Sequence, residues 1–318
     1  MFSQSVITTG LAVIQIIVLA AIGYFLVKQR ILDGVGLDTL SRMTVEVTLP
    51  LLIFCQLIKD FSFDKYANWW IFPLLSIAVT LIGLVIGLFF LKFIHGVEHQ
   101  KQFLGLVAFQ NSGYLPLALI ASLLPKDKAE PMLIYLFLFL LGFNLVIWSF
   151  GVYLLTYNKM QKFELGSLFS PPVVATLLSL VMIFFGLNKF VPGFLIKPLG
   201  MVGECTVPLS MLVVGGSLAQ ISLRAVDKKA VFLAVLLKMF VLPALGFLLV
   251  IRLGLPELIG LLIIMQLAVP SATNLSVIIR HYKKEDLLVS QGILFSHIAG
   301  IISLPFFLSL YFTLNMVK

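Results

Sequence analysis

Long apolar runs alternate with short polar segments along the whole chain. We distinguish ten such runs, each of about 20 residues, which at about 1.5 Å per residue is enough for a helix to cross about 30 Å of hydrocarbon. Their approximate bounds are 5–26, 37–58, 69–91, 102–124, 132–156, 171–188, 194–219, 230–251, 257–279 and 287–312. The pattern predicts an all-α integral membrane protein with ten transmembrane helices in one membrane domain, 1–318.

Two of these runs are interrupted by residues that disfavour a helix. The segment SGYLP at 112–116 interrupts the fourth run, and PSATN at 270–274 interrupts the ninth. Proline removes a backbone donor, and serine or asparagine side chains compete for backbone groups. Hydrocarbon tolerates unwound backbone only where it is buried in protein or lines a wet cavity. A matched pair of broken helices is typical of the substrate site of a secondary transporter.

The two halves of the chain share a sequence pattern. Met43, Glu46, Thr48, Pro50 and Leu51 each match an identical residue 158 positions later, and the same offset relates the two interruptions. This indicates an internal repeat, with copies at 1–157 and 158–318. Because five helices end on the opposite face from where they began, the second copy is inverted and helices 4 and 9 should cross at the midplane. The half-helix N-termini there carry partial positive charge and favour an anion.

Composition supports the membrane assignment and explains the charge. Of the residues, 60% are hydrophobic and 11% charged, and the mean hydropathy is +1.11. The net charge is +8, with twelve Lys and Arg residues in the loops after odd-numbered runs and eight in the other loops and the C-terminal tail. Since basic residues concentrate in cytoplasmic loops, we expect a multi-pass protein of the cytoplasmic membrane with both termini outside, and not a nucleic-acid-binding protein. Cys55 and Cys205 are expected to be small buried apolar residues.

Several segments resemble the auxin efflux carrier family. Residues 110–119 (QNSGYLPLAL) resemble its fourth-helix signature and 269–274 (VPSATN) its ninth-helix counterpart, and further landmarks follow at 204–209, 238–243 and 301–305. The short segment 158–170 between the fifth and sixth runs is similar to compact prokaryotic members, such as malate or malonate carriers. Auxin itself is therefore not the expected substrate.

This resemblance implies a fold like that of bile-acid symporters and sodium–proton antiporters. It implies a scaffold from residues 5–58 and 171–219 and a mobile transport domain from 69–156 and 230–312. It also implies a homodimer formed through the scaffold, and elevator-like transport of small carboxylates.

Polar residues at the interruptions are the candidate substrate ligands. Asn111 is expected to contact the substrate carboxylate, the alternative being that it only ties off freed backbone groups. Ser112 could do either, because such hydroxyls often bond their own backbone. Ser271, Thr273 and Asn274 form the matching set on the ninth helix. The residues that create the breaks are Gly113, Pro116 and Pro270.

Four other residues are candidates for charge or proton coupling. Lys238 lies inside an apolar run, where a cation is costly, so it is either a functional cation near the crossing or a lysine that snorkels to the interface. Glu46 and Glu204 are structural, with proton coupling as the alternative. His297 is a hydrogen-bonded core residue or a proton carrier. The coupling ion could be H⁺ or Na⁺.

The sequence thus predicts a secondary transporter of small organic anions, embedded in lipid. The alternatives are a sodium-coupled symporter of the same fold and a non-transporting membrane sensor. We expect no enzyme, cofactor or metal site, because the sequence has neither a phosphate-binding loop nor metal-ligand spacing.

Overall fold

A computed structural model of the chain describes residues 2–156, 168–223, 227–281 and 287–316. The predicted boundary between the repeats, at 157 and 158, and the segment 158–167 lie outside these ranges. The α-helices are α1 (Phe2–Lys28), α2 (Gly34–Met43), α3 (Leu49–Asp60), α4 (Ile71–Phe90), α5 (Val97–Ala108), α6 (Tyr114–Leu123), α7 (Lys126–Val146), α8 (Val152–Thr156), α9 (Pro171–Phe184), α10 (Gly193–Glu204), α11 (Thr206–Ala219), α12 (Lys228–Leu236), α13 (Leu242–Leu253), α14 (Glu257–Ala268), α15 (Asn274–His281) and α16 (Leu287–Met316).

Seven helical stretches within the described ranges are long and apolar enough to cross a membrane. They are Phe2–Lys28, Gly34–Asp60, Ile71–Phe93, Lys126–Thr156, Gly193–Ala219, Lys228–Leu253 and Leu287–Leu314. The prediction of an all-helical integral membrane protein is confirmed. The sixth predicted helix is shorter than expected: α9 ends at Phe184, since Gly186 adopts the left-handed conformation (φ 70°) that commonly follows a helix end.

Both helices break close to the predicted positions, but residues 114–116 of the first predicted interruption belong to α6, and Asn274 of the second begins α15. The chain leaves the helix at 109–113, between α5 and α6, and at 269–273, between α14 and α15. The helix ends that flank the first break are therefore each 160 residues before those that flank the second. The second and seventh runs match at an offset of 158, so the second half has two more residues between its matching run and its break than the first half has.

Three π-helical turns join helices into longer spans: Thr44–Thr48, Ile147–Gly151 and Leu237–Val241. Two of them precede a proline at the start of the next helix, Pro50 in α3 and Pro243 in α13. Proline offers no N–H to the carbonyl four residues earlier, so the helix widens locally instead of breaking.

Small residues let the helices of the two halves pack closely. A Cβ atom added at Gly215 of α11 would overlap the carbonyl of Ala20 in α1, and one at Gly203 would meet the backbone of Leu52. Close backbone approach is how helices associate in lipid, where burial of apolar surface offers little driving force.

The expectation for the cysteines holds for Cys55, which is buried, and is wrong for Cys205, which is exposed.

Candidate functional site

The two unwound segments lie against each other and satisfy each other's backbone groups. Gln110 and Ser271 form an isolated antiparallel bridge. The Asn111 N–H donates to the Pro270 carbonyl (2.8 Å), and the Ala272 N–H donates to the Phe109 carbonyl (3.0 Å). The two breaks therefore meet, as their sequences predicted, and backbone groups freed from one helix are paired by the other.

Two side chains tie the crossing to the neighbouring helix ends. The Ser271 hydroxyl donates to the Leu106 carbonyl (2.7 Å), one of the last four carbonyls of α5, which have no donor in their own helix. The Gln266 amide donates to the Ser112 carbonyl (3.1 Å). Ser271 is thus a capping residue of the crossing, and its hydroxyl is engaged by protein.

A small polar cavity lies beside the crossing. Its volume is about 90 Å³, room for several water molecules, since one needs roughly 10–15 Å³. Its walls are residues 110–114 and 272–274 of the breaks, Val45, Leu49, Leu140, Phe143, Asn144, Trp148, Ser170 and Pro172. Among the described residues, none that lines it is Lys, Arg, Asp, Glu or His. The cavity is polar without carrying a charged side chain.

Buried polar atoms without a protein partner are concentrated here. Within the described ranges they include both ends of the Gln110 amide, Nδ2 of Asn111, Oγ of Ser112 and Oε1 of Gln266. Leaving such a group unpaired costs about 1–3 kcal/mol. Of these, Gln110, Asn111 and Ser112 line the cavity, so it offers unpaired polar groups to whatever occupies it.

The structure brings most of the predicted ligands together. Asn111, Ser112, Thr273 and Asn274 line the cavity with Gly113, whereas Ser271 does not. The prolines differ in position. Pro270 lies in the second unwound segment, but Pro116 occupies the first turn of α6, where a proline needs no N–H partner.

Sequence reasoning missed several residues that line the cavity: Gln110, Tyr114, Asn144, Trp148 and Ser170. A signal existed for two of them. Gln110 adjoins Asn111, so two amides stand side by side in an apolar run, and Asn144 is a lone amide in the fifth run. Nothing in the sequence places Ser170, because its position depends on how α9 packs.

The candidates for charge or proton coupling lie outside this cavity. Lys238 is only 1% exposed, in a π turn at mid-span that packs against α5, α14 and α16, so it does not snorkel to the interface. Glu46 pairs with Arg42 (3.2 Å) and is half exposed, and Glu204 is exposed at the end of α10.

His297 borders a second, apolar cavity of about 210 Å³ on the other side of Pro270. Its Nδ1 lies 2.8 Å from the Ile293 carbonyl, which can only accept, so Nδ1 carries the proton. Its Nε2 is buried and unpaired within the described residues. His297 therefore lines the apolar cavity and not the polar one.

A helical membrane protein in which two broken helices cross beside a neutral polar cavity has the arrangement of a secondary transporter. The family model described as "Membrane transport protein" matches residues 9–162 and 155–308, and the chain belongs to this family. The predicted resemblance to the auxin efflux carriers is confirmed by this match and by the relatives below.

Three relatives illustrate the breadth of the similarity. PIN-LIKES 1 of Arabidopsis thaliana is 22% identical over 77% of this chain and 65% of its own length. An uncharacterized transporter of Methanocaldococcus jannaschii is 23% identical over 67% of this chain and 70% of its own. An uncharacterized transporter of Saccharomyces cerevisiae is 24% identical over 48% of this chain and 38% of its own. The chain thus spans just under two thirds of the length of PIN-LIKES 1.

Family membership confirms two of the broader predictions. The protein is a multi-pass membrane protein of a membrane transport family, and the relatives from Methanocaldococcus jannaschii and Saccharomyces cerevisiae are named as transporters, not as enzymes.

Proposed function

We propose that the protein carries small organic anions, carboxylates above all, across the cytoplasmic membrane. In this proposal the protein crosses the membrane ten times. Seven crossings are the long helical stretches, and the other three are α9 and the two broken helices, α5 with α6 and α14 with α15. The ten crossings form two inverted five-helix repeats. Support comes from the two breaks, which lie at corresponding places in the two halves and contact each other.

The observation that carries the proposed substrate class is that both half-helix N-termini reach the same cavity. α6 begins at Tyr114 and α15 at Asn274, and both residues line it. Helix N-termini favour negative charge through their free N–H groups and partial positive charge. The Asn111 amide, the Thr273 hydroxyl and the Asn274 amide add neutral donors, so a carboxylate can be held without a cationic side chain.

Alternating access follows from where the cavity lies in the proposed domains. Val45, Leu49 and Pro172 belong to the proposed scaffold, 5–58 and 171–219, whereas the breaks and Asn144 belong to the proposed transport domain, 69–156 and 230–312. An elevator movement of the transport domain against the scaffold would carry the site across the membrane. We further propose a homodimer formed through the scaffold, and a role for Lys238 as a buried cation near the crossing on which transport depends.

Ligand-dependent stabilisation tests the site. In a thermal-shift screen of mono- and dicarboxylates, a ligand at 100 times its Kd should stabilise the wild type by about 2.7 kcal/mol. Asn111→Ala should lose this shift. The matched control Asn188→Ala, in the 3₁₀ turn Leu187–Phe190 that follows α9, should keep it. Equal shifts in all three proteins would remove Asn111 from the site.

One observation favours sodium coupling as a second candidate. The unpaired Ser112 Oγ, Gln266 Oε1 and Gln110 Oε1 are neutral oxygens of the kind that coordinate hard cations. Carboxylate flux measured with and without a sodium gradient separates the two proposals, since an inward sodium gradient accelerates the flux only through a sodium symporter. Binding without any flux would instead support a sensor.

A further inference from the structure

The apolar cavity beside Pro270 has no part in the proposed transport site. Its volume is about 210 Å³, and no residue that lines it also lines the polar cavity. Of the described residues in its wall, only Tyr24 and His297 carry a polar side chain. The cavity therefore needs an occupant of different chemistry from that of the polar site.

The cavity has a rim and a deep wall. Tyr24 of α1 and Ile298 and Ile301 of α16 line it and are 37%, 51% and 46% exposed. At the deep wall, Met211 and Val214 of α11 are 0% and 2% exposed. The exposed residues are on α1 and α16, so the cavity opens between these two helices.

This opening faces the hydrocarbon of the bilayer. The rim residues lie inside the apolar stretches Phe2–Lys28 and Leu287–Leu314, which are long enough to span the membrane. The deep wall lies inside a third such stretch, Gly193–Ala219. Acyl chains are therefore the molecules in contact with the opening.

Small residues keep the cavity from being filled by the protein itself. Ala20 and Ala21 of α1, Gly215 of α11 and Gly300 of α16 all form part of its wall. Protein interiors contain few voids larger than a water molecule, and an empty void costs its wall the contacts that a neighbour would make. An occupant from outside would restore those contacts.

The character of the wall selects the occupant. Water in a cavity needs two to four polar partners, and an apolar cavity of about 150 Å³ stays dry and binds benzene. By the same ratio, a volume of about 210 Å³ has room for roughly eight carbon atoms. A carboxylate would lose its hydration here without gaining matching donors. Hydrocarbon is the class that fits.

Binding here depends on fit and not on the hydrophobic effect. A lipid chain that enters the cavity leaves surroundings that are just as apolar, so its transfer contributes little. The gain is the van der Waals contact with a wall that otherwise faces a void. A cavity of this size therefore holds the end of one chain.

We propose that the cavity is a binding site for one acyl chain of a bilayer lipid, which enters between α1 and α16 and reaches Met211 and Val214. This site goes beyond the proposed function, because it takes hydrocarbon and not the transported substrate. Its walls come from α1 and α11 of the proposed scaffold and from α6 and α16 of the proposed transport domain, so a bound chain contacts both.

Photolabelling from within the bilayer tests the site. The protein is reconstituted in phosphatidylcholine that contains a trace of phosphatidylcholine with a diazirine near the end of one acyl chain. After irradiation, mass spectrometry locates the labelled residues. Leu81 and Val85 of α4, which are 51% and 48% exposed and do not line the cavity, report labelling at the ordinary lipid surface.

We expect labels on Met211 and Val214 as well as on Leu81 and Val85. Met211 and Val214 are buried, so a lipid reaches them only through the cavity. Labels on Leu81 and Val85 with none on Met211 and Val214 would overturn the proposal. Because labelling requires no transport, this outcome would leave the proposed function standing.

A filled cavity supplies the second test. Ala21→Phe, and Ala21→Leu as a smaller filling, should lower the labelling of Met211 and Val214 several-fold and leave that of Leu81 unchanged. The matched control is Ile22→Phe, at the next position of α1, which is 47% exposed and does not line the cavity. It should label as the wild type does. Undiminished labelling of Met211 and Val214 in the filled variants would show that the chain reaches them by another route and would also overturn the proposal.

Discussion

Asn111 and Ser271 both lie at the crossing, but their side chains have different surroundings. Asn111 lines the polar cavity and its Nδ2 has no protein partner within the described residues. The Ser271 hydroxyl is 2.7 Å from the Leu106 carbonyl and faces away from the cavity. Residues at similar positions in the two breaks thus differ: the Asn111 amide is open to the cavity, whereas the Ser271 hydroxyl caps a helix end.

Ser271→Ala tests this division. The change leaves the Leu106 carbonyl without its donor, and we expect the protein to lose about 1–3 kcal/mol of stability. Carboxylate affinity, measured by titration of the purified protein, should stay near the wild-type value. A large loss of affinity with unchanged melting temperature would show that Ser271 contacts the substrate instead.

The sequence predicted the place of the site better than the role of each residue. Proline, glycine and polar residues in an apolar run are enough to predict a break, so Asn111, Thr273 and Asn274 could be predicted. The role of Ser271 could not, because it depends on a carbonyl 165 residues away. Ser170 was missed for the same reason, since only the packing of α9 brings it to the cavity.

Among the helical elements, the π turns place residues that a regular helix would place differently. Lys238 lies in the turn Leu237–Val241, and its buried side chain sits among α5, α14 and α16. A buried lysine in a span costs about 2.5–3.5 kcal/mol on insertion scales. That cost is the reason for the proposal that Lys238 has a role in transport.

Lys238→Met should therefore leave the fold intact but slow carboxylate flux about tenfold, equivalent to about 1.4 kcal/mol in the barrier. The comparison is Lys229→Met, which removes a lysine that stacks on Phe93 at the membrane surface. Initial rates in proteoliposomes measure the effect. Wild-type rates in Lys238→Met would assign the lysine a purely structural role.

At the scale of the whole molecule, the order of the helices and the asymmetry of the loop charges predict that both termini lie outside. Twelve basic residues follow the odd-numbered runs and eight fall in the other loops and the tail. Six of these twenty lie outside the described residues: Lys159, Lys162, Arg224, Lys283, Lys284 and Lys318. The all-helical membrane fold could be predicted from the sequence. The offset of 160 residues between the two breaks could not be predicted, because it depends on where each helix ends.

Labelling from one side checks the orientation. His95 lies between α4 and α5, and Asp127 lies at the start of α7, on opposite ends of the bundle. A membrane-impermeant maleimide should label Asp127→Cys in intact cells and His95→Cys only after permeabilisation. Labelling of His95→Cys in intact cells would place the termini inside.

The central claim is that a carboxylate binds at the crossing of the two broken helices and is carried through the membrane. Its most direct test is counterflow in proteoliposomes loaded with unlabelled malonate, following uptake of labelled malonate by the wild type and by Asn111→Ala. We predict rapid exchange by the wild type and little by the variant. Equal exchange by both proteins would contradict the claim.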